Sequence, residues 1–170
     1  DWSSDVCSSD LGDVVVRIED HALSLVRQIL TGITATAVAI RLHRFGRDER
    51  LYLYTVESGT AYRRISTDLD TFGAGASLGG AVHIASWIGF GGTEYVYRID
   101  GSGPYDIVGR RYDAQGTALE PQFTAVTGVD NTAFSVTGSP IAGGRDRIVL
   151  RFSQGGALTR KTSLGGVTFT

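Results

Sequence analysis

The sequence predicts an all-β fold built from repeated antiparallel hairpins. Short runs that alternate apolar and polar residues recur along the chain, and clusters of Gly, Asp, Ser and Pro separate them. The outline of one hairpin, residues 95–119, also returns at three other places in the 170-residue chain. Residues 22–30 would suit either a strand or a short helix. The other runs favour strands, because the 3.6-residue apolar period of a helix is absent from them.

The reference hairpin has two strands with a turn at each end. Residues 95–100 (YVYRID) have the period-two pattern of a half-buried strand, and the turn residues at 101–104 (GSGP) interrupt it. Residues 105–112 mix β-branched and aromatic residues with polar ones, which favours a second strand. An acidic, glycine-containing turn at 113–116 (DAQG) closes the unit.

A second copy of this hairpin lies 43 residues upstream and matches it without a gap at six positions. Looser copies span residues 14–30 and 148–164. Anchored on equivalent strand positions, successive copies are 38, 43 and 53 residues apart. The anchors are Val16, Tyr54, Tyr97 and Leu150. The matched pairs are Tyr52 with Tyr95, Tyr54 with Tyr97, Val56 with Ile99, Ile65 with Val108, Asp70 with Asp113, and Gly73 with Gly116.

This spacing favours a particular all-β architecture. Self-similarity at roughly 40 to 45 residues, with about four short strands per copy, is typical of β-propeller blades. The prediction is therefore a β-propeller fragment of about three to four four-stranded antiparallel blades. The alternative is a β-sandwich, whose hairpins resemble each other because all hairpins share turn chemistry.

Residues 1–11 differ from the rest of the chain. They are rich in Ser and Asp, contain the one Cys of the sequence, Cys7, and lack both strand periodicity and the apolar core of a signal peptide. Written back into codons, the segment resembles a common sequencing adapter translated in frame. We expect it to be an artefact of metagenomic assembly outside the fold, and a natural disordered leader is the alternative. Residues 12–170 are then the β-propeller-like repeat domain.

The repeat domain is expected to be truncated at both ends. The sequence has no Met, and residues 164–170 resemble residues 78–84, which lead into a new strand. Blades need neighbours to cover their apolar faces, so missing neighbouring blades of the same protein are the expected partners.

Charge and composition exclude several classes of partner. Residues 1–11 hold three acids and no base, so residues 12–170 carry 16 basic and 15 acidic side chains and a net charge of +1. We therefore predict no nucleic acid and no membrane as partner. No apolar run approaches the roughly 20 residues of a membrane helix. The pairs Arg63-Arg64 and Arg110-Arg111 are expected on solvated strand faces.

One family resemblance is specific enough to state. Residues 106–116 (DIVGRRYDAQG), preceded by Ser86-Trp87, are similar to a repeat of very large secreted bacterial proteins that often carry hemolysin-type calcium-binding segments. Residues 97–100 also resemble the blade hairpins of lactonase-type propellers. The resemblance implies a secreted or cell-surface bacterial protein. The resemblance makes calcium a possible cofactor, but no motif in this chain supports it, because residues 73–76 (GAGA) only approximate the calcium-binding nonapeptide and lack its aspartate.

The histidines and the glycine-rich segment give little indication of a metal-binding, catalytic or phosphate-binding site. His21, His43 and His83 are far apart without ligand-spaced partners, so each is expected on the surface or in a turn. Residues 89–92 (GFGG) do not precede a helix, which argues against a phosphate cradle.

The acidic residues offer two interpretations. Asp68 and Asp70 share a strand face, and Asp100, Asp106 and Asp113 recur near turns. Such carboxylates could serve acid–base work or hold a cation. The alternative is that they accept hydrogen bonds from turn backbones.

The serines and the repeated tyrosines also indicate no active site. Three serines lack a nucleophile-elbow context. The repeated tyrosines are expected to pack in the core or between blades instead of forming a sugar platform. These residues are Ser135, Ser139 and Ser153, and Tyr52, Tyr54, Tyr95 and Tyr97.

The sequence thus assigns no catalytic, cofactor-binding or metal-binding residue. The functional hypothesis is a non-catalytic structural or binding repeat module of an exported bacterial protein, with a cell-surface or carbohydrate ligand that the sequence does not identify. The alternative is a fragment of a lactonase- or glycosidase-like propeller enzyme whose catalytic residues lie elsewhere. Acidic or histidine side chains that converge on a propeller axis would favour the enzyme.

Overall fold

The computed structural model describes residues 3–8, 13–19, 25–45, 48–101 and 104–170. Within these ranges the chain is all-β, with four antiparallel sheets and no α-helix. Each sheet is built from strands that follow one another in sequence, so every sheet is a simple meander. The chain divides into two compact units, Asp1–Gly79 and Gly80–Thr170.

The first unit contains two of the sheets. Residues 25–34 form a strand, so the helical alternative for residues 22–30 is wrong over the part that the structure describes. The first sheet has the order β1-β2-β3, and β1 pairs with β2 from Ser3 to Ser8. This pairing does not test the origin of residues 1–11, which stays a prediction. The strands are β1 (Ser3–Ser8), β2 (Asp13–Glu19) and β3 (Leu25–Thr34).

The third strand of the first sheet is irregular at Thr31 and Gly32. Both residues lie inside β3, and the chain turns at residues 35–36. Gly32 has a positive φ of 62°, where the register against β2 shifts. The Thr31 hydroxyl donates a 2.5 Å hydrogen bond to the Val14 carbonyl and accepts one from Ile33 N. These bonds stabilise an irregularity that lets the strand continue.

The second sheet has four strands in the order β4-β5-β6-β7. Leu53 and Tyr54 of its central strand are both 0% exposed, although successive strand residues point to opposite faces. This strand is therefore buried on both faces. One face joins a core with the first sheet that consists of Val14, Val16, Ile29, Ile40, Leu51 and Leu53. The strands are β4 (Ala37–Phe45), β5 (Asp48–Glu57), β6 (Thr60–Ser66) and β7 (Ala76–Gly80).

The third sheet, in the second unit, repeats this plan with the order β8-β9-β10-β11. Its central strand is again buried on both faces, since Val96 is 4% and Tyr97 is 1% exposed. A short 3₁₀ turn, Phe90–Gly92, connects the first two strands. The strands are β8 (His83–Ile88), β9 (Glu94–Asp100), β10 (Tyr105–Tyr112) and β11 (Phe123–Val129).

The fourth sheet has three strands, β12 (Phe134–Ile141), β13 (Arg145–Gln154) and β14 (Ala157–Leu164). Its inner face packs on the third sheet, and the shared core includes Tyr97, Ile99, Ile107, Phe134, Val136, Ile148, Leu150 and Phe152. The chain then returns along β14. Thr162 and Thr170 exchange two backbone hydrogen bonds of 2.9 and 3.0 Å, which is an antiparallel bridge.

The repeats predicted from sequence coincide with the sheets. Each copy supplies two neighbouring strands of a different sheet: β2–β3, β5–β6, β9–β10 and β13–β14. The all-β class and the antiparallel pairing are therefore confirmed, and the second and third sheets have the predicted four strands, whereas the first and fourth have three in the described part of the chain. The gapless match of the two best copies holds only for their first strands. Two residues separate Glu57 from its partner Thr60, whereas five separate Asp100 from its partner Asp106.

Candidate functional site

Two of the candidate aspartates accept hydrogen bonds from backbone amides in turns. Asp68 accepts hydrogen bonds of 2.9 Å from the Asp70 and Thr71 amides and from two hydroxyls, and these bonds hold the pKa of its carboxyl far below its usual range. Asp113 accepts from the Gln115 and Thr117 amides at 3.0 and 2.8 Å. The turn interpretation of these acids is confirmed.

Two of the other three candidate acids are also engaged. Asp106 accepts a 3.0 Å hydrogen bond from the Gly128 amide. Asp100 lies 3.1 Å from the guanidinium of Arg98 on the same strand. Asp70 lies with Asp68 in the turn after β6, so the prediction that these two share a strand face is wrong.

The histidines are not surface or turn residues where the structure describes them. His43 lies on β4 and His83 begins β8, and both are half-buried. Burial lowers the pKa of both imidazoles, helped at His43 by the charge of Arg50. His83 packs edge-on against Phe134, with ring centroids 5.1 Å apart. His21 lies outside the described residues.

The paired arginines are not on solvated faces either. Arg63 is 9% exposed, and the Arg64 guanidinium donates 2.6 and 3.2 Å hydrogen bonds to Glu57. Arg111 donates to both carboxylate oxygens of Glu120, at 2.5 to 3.0 Å. The prediction failed for Arg64 and Arg111 because each has a carboxylate partner within nine residues, Glu57 at the end of β5 and Glu120 between β10 and β11, which neutralises the charge close to the sheet.

The repeated tyrosines are core residues, as predicted. Tyr52 and Tyr54 are 0% exposed, Tyr95 is 4% and Tyr97 is 1% exposed. Two of their hydroxyls also donate hydrogen bonds within the second unit. Tyr95 donates a 2.9 Å hydrogen bond to Asp146 Oδ2, and Tyr97 donates a 2.6 Å hydrogen bond to the Gly166 carbonyl.

These tyrosines belong to a buried polar network that joins the third and fourth sheets. Asp146 is 2% exposed, and its carbonyl accepts a 2.8 Å hydrogen bond from the Gly165 amide. Arg111 donates a 3.0 Å hydrogen bond to the Gly165 carbonyl while it pairs with Glu120. Burial and, for Tyr95, the nearby carboxylate raise the pKa of Tyr95 and Tyr97 far above the usual range.

Two glycines leave no free space around this buried polar network. A Cβ atom added at Gly89 would lie 2.0 Å from Asp146 Oδ2, and one added at Gly166 would lie 2.4 Å from the Tyr95 ring. The backbone therefore fills the space around the carboxylate. This geometry suits a rigid connection between sheets better than a site that admits a substrate.

A second feature was not predicted from the sequence: the outward face of the fourth sheet carries a cluster of arginines. Period-two alternation along the strands places exposed side chains on this side and buried ones on the other. We define the arginine face as Ser135, Thr137, Ser139, Arg145, Arg147, Arg151, Arg160 and Thr162.

The strand register arranges this face in rows. Arg151 of β13 lies opposite both Ser135 of β12 and Arg160 of β14. Arg147 lies opposite Ser139. The Arg151 guanidinium donates a 3.1 Å hydrogen bond to the Thr137 hydroxyl. The rows that contain Arg147 and Arg151 thus lie on either side of a row formed by Thr137, Val149 and Thr162.

A depression of about 430 Å³ borders the arginine face at β14. Arg147, Arg160, Thr162 and Ser163 line it, together with Leu164, Thr168 and Thr170. Ser163 is 4% exposed, and its hydroxyl forms no hydrogen bond with the described part of the chain. The concave edge therefore combines two cations with several hydroxyls.

Asp130 borders the other end of the sheet. Its carboxylate accepts hydrogen bonds of 2.8 to 2.9 Å from the Gly155 and Gly156 amides and the Ser153 hydroxyl. These bonds lower the pKa of the Asp130 carboxyl. Ser153 is therefore a partner of a turn aspartate, while Ser135 and Ser139 lie exposed on the arginine face.

The described residues contain no group of three His, Cys, Asp or Glu side chains that could hold a metal ion. Among the same residues, no helix has the length and apolar character of a membrane span. A scan of the chain against protein-family models found no match, and a search of curated proteins found no significant similarity.

Proposed function

We propose that the chain is a non-catalytic binding module made of β-propeller-like repeats from an exported bacterial protein. The observation that carries this proposal is where the chemically capable side chains lie. The described turn aspartates cap backbone amides, the repeated tyrosines are buried, and a polar array remains on one open sheet face. This arrangement stabilises a scaffold and leaves a surface for a ligand.

The burial pattern supports blades over a two-layer sandwich. In a sandwich each sheet keeps one face in solvent. Here the central strands β5 and β9 are buried on both faces, as a blade with a neighbour on each side would be. Further blades of the same protein would pack on apolar faces. The charged outer face of the fourth sheet is instead suited to a ligand.

The enzyme alternative has one geometric candidate, the Tyr95 and Asp146 pair. Both residues are buried, and Gly89 and Gly166 close the space around them. A substrate would need to reach the hydrogen bond between them, so we assign this pair to stability.

Turnover assays on the full chain test the non-catalytic function. The proposal predicts no hydrolysis of aryl lactones, of neutral aryl glycosides or of glucuronides above the buffer rate, at pH 5 to about 9, where candidate acids and bases of ordinary pKa change state. If the parent chain hydrolyses one of these substrates and the folded Asp146→Asn variant does not, the chain is an enzyme and the proposed function is contradicted.

A further inference from the structure

The arginine face collects positive charge without neutralising it. Among the basic side chains whose burial the structure describes, the exposed ones are Arg145, Arg147, Arg151 and Arg160, and all four lie on this face. None of its members is acidic, and no ion pair engages the four arginines in the described part of the chain. Local charge here differs from the near-zero net charge of the chain.

The strand register places two of these four arginines next to each other. Arg151 and Arg160 are directly opposite each other, and Cα atoms in such pairs are about 4.5–5.5 Å apart. Like charges in opposed positions destabilise a sheet. A bound anion between the two guanidinium groups would remove that repulsion, so the pair is arranged to gain from an anionic ligand.

The spacing extends beyond one anion. Arg147 and Arg151 are four residues apart on β13, which corresponds to about 14 Å along the strand. The depression beside Arg147 and Arg160 has a volume of about 430 Å³, within the roughly 300–1,000 Å³ of ligand pockets. Several anionic groups on one extended ligand could therefore be engaged together.

The polar groups on this face suit sugars better than nucleotides. Guanidinium groups bind carboxylates and sulfates through paired N–H donors, and the neighbouring Ser and Thr hydroxyls can donate to and accept from sugar hydroxyls. Single-stranded nucleic acid is usually held by stacking on aromatic rings. On this side of the fourth sheet the described strand positions carry Arg, Ser, Thr and a few aliphatic residues, among them Val149 and Leu164, and no aromatic ring.

The geometry points to an anionic polysaccharide, one with carboxylate or sulfate groups on its sugars, as the ligand of the arginine face. This inference rests on the proposed binding function and gives it a surface and a ligand class. Arg151 and Arg160 form the centre of the site, and Arg147 with the adjacent depression extends it.

Titration of the full chain with polygalacturonate, dextran sulfate and neutral dextran, followed by isothermal calorimetry, tests the inference. We expect at least one anionic polymer to bind, neutral dextran not to bind, and binding to weaken as salt rises from about 0.05 M to about 0.5 M. The two anionic polymers distinguish carboxylate from sulfate recognition.

A pair of variants locates the site. The double variant R151Q/R160Q should weaken binding at least about tenfold, because hydrogen bonds to charged groups are lost. It should melt no lower than the parent chain, since the like-charge pair is removed. Lys161→Gln is the matched control: it removes one charge from the residue beside Arg160, on the opposite face of β14, and should change affinity by less than about twofold.

Four results would overturn the inference. The first is equal binding of neutral dextran, and the second is unchanged affinity in R151Q/R160Q. The third is tighter binding of single-stranded DNA or phosphatidylglycerol vesicles than of either anionic polysaccharide. The fourth, no binding of any polymer by a folded chain, would leave the non-catalytic repeat function intact. Release of new reducing ends from a bound polysaccharide would instead contradict the proposed function.

Discussion

The Tyr95 hydroxyl on the third sheet donates a 2.9 Å hydrogen bond to the buried Asp146 carboxylate on the fourth sheet, 51 residues later in the sequence. Because both groups are removed from water, the hydrogen bond helps to satisfy the polar atoms of each. The contact therefore links the two sheets of the second unit and fixes how they pack.

A double-mutant cycle should detect this link. We expect Asp146→Ala to lower the free energy of unfolding by about 1–3 kcal/mol, because it leaves a buried hydroxyl without its acceptor. Tyr95→Phe should cost about 1 kcal/mol, with a coupling energy of about 0.5–3 kcal/mol between the two changes. Urea denaturation gives the values, and Tyr105→Phe, at a half-buried tyrosine, serves as the control. Strictly additive losses would show that the hydrogen bond does not hold the sheets together.

Alkaline titration should separate the buried tyrosines from the others. Burial raises the pKa of Tyr95 and Tyr97, so both stay protonated in the folded chain above pH 10. An unfolded tyrosine loses its proton near pH 10, so this stabilisation is fully present below that pH and is lost as the pH rises from there towards the raised pKa of the folded state. Phenolate absorbance of the parent chain and of the Tyr95→Phe and Tyr97→Phe variants measures this. Ionisation of Tyr95 and Tyr97 near pH 10, in a chain that is still folded, would contradict the packing.

His83 should make stability fall in mild acid. Burial lowers its folded pKa, and a hydrogen bond with the Phe134 backbone only partly opposes this. The unfolded state therefore binds a proton first, and the free energy of unfolding falls as the pH drops below about 6.5. His83→Gln should reduce the slope between about pH 7 and pH 5, whereas the contribution of His43 remains. An NMR titration that places the His83 pKa at or above 6.5 would count against this explanation.

Gly138 should tolerate no side chain. An added Cβ atom would lie 2.5 Å from the Trp87 ring, so Gly138→Ala forces the indole to move. The expected cost is about 1–3 kcal/mol of unfolding free energy, and it should shrink when Trp87 is replaced by Leu. Gly73→Ala is the control, because its Cβ would meet only the Ile65 carbonyl oxygen at an ordinary 3.6 Å. Equal melting temperatures for both alanine variants would show that Trp87 does not pack on Gly138.

Local patterns predicted the fold well because strand alternation and turn residues act over short distances. The hairpins at Tyr52 and Tyr95 both form, and each supplies the middle of a sheet. The relative register of their second strands was not predictable from the gapless match. Arg64 lies opposite Leu53 and Arg110 lies opposite Val96, so a hairpin connection three residues longer shifts the second strand of the later copy.

Site residues were harder to predict because their partners are far apart in sequence. Nothing near Asp146 indicates that Tyr95 and Gly89 enclose it. The arginine face did leave a signal. Residues 135–139 (SVTGS) carry hydroxyls at every second position, and the arginines of residues 145–151 (RDRIVLR) stand at 145, 147 and 151, an even spacing that places them on one face once the strand is known.

The most direct test of the blade-like architecture compares successive residues of one central strand. Leu53 and Tyr54 point to opposite faces of β5 and are both fully buried, so Leu53→Ala and Tyr54→Ala should each lower the free energy of unfolding by about 2–5 kcal/mol. On β13 the matched pair should differ: Leu150→Ala should cost a similar amount, and Arg151→Ala should stay within about 0.5 kcal/mol. If Leu53→Ala or Tyr54→Ala also stays within about 0.5 kcal/mol, one face of the sheet is solvated, as in a sandwich, and the blade proposal is contradicted.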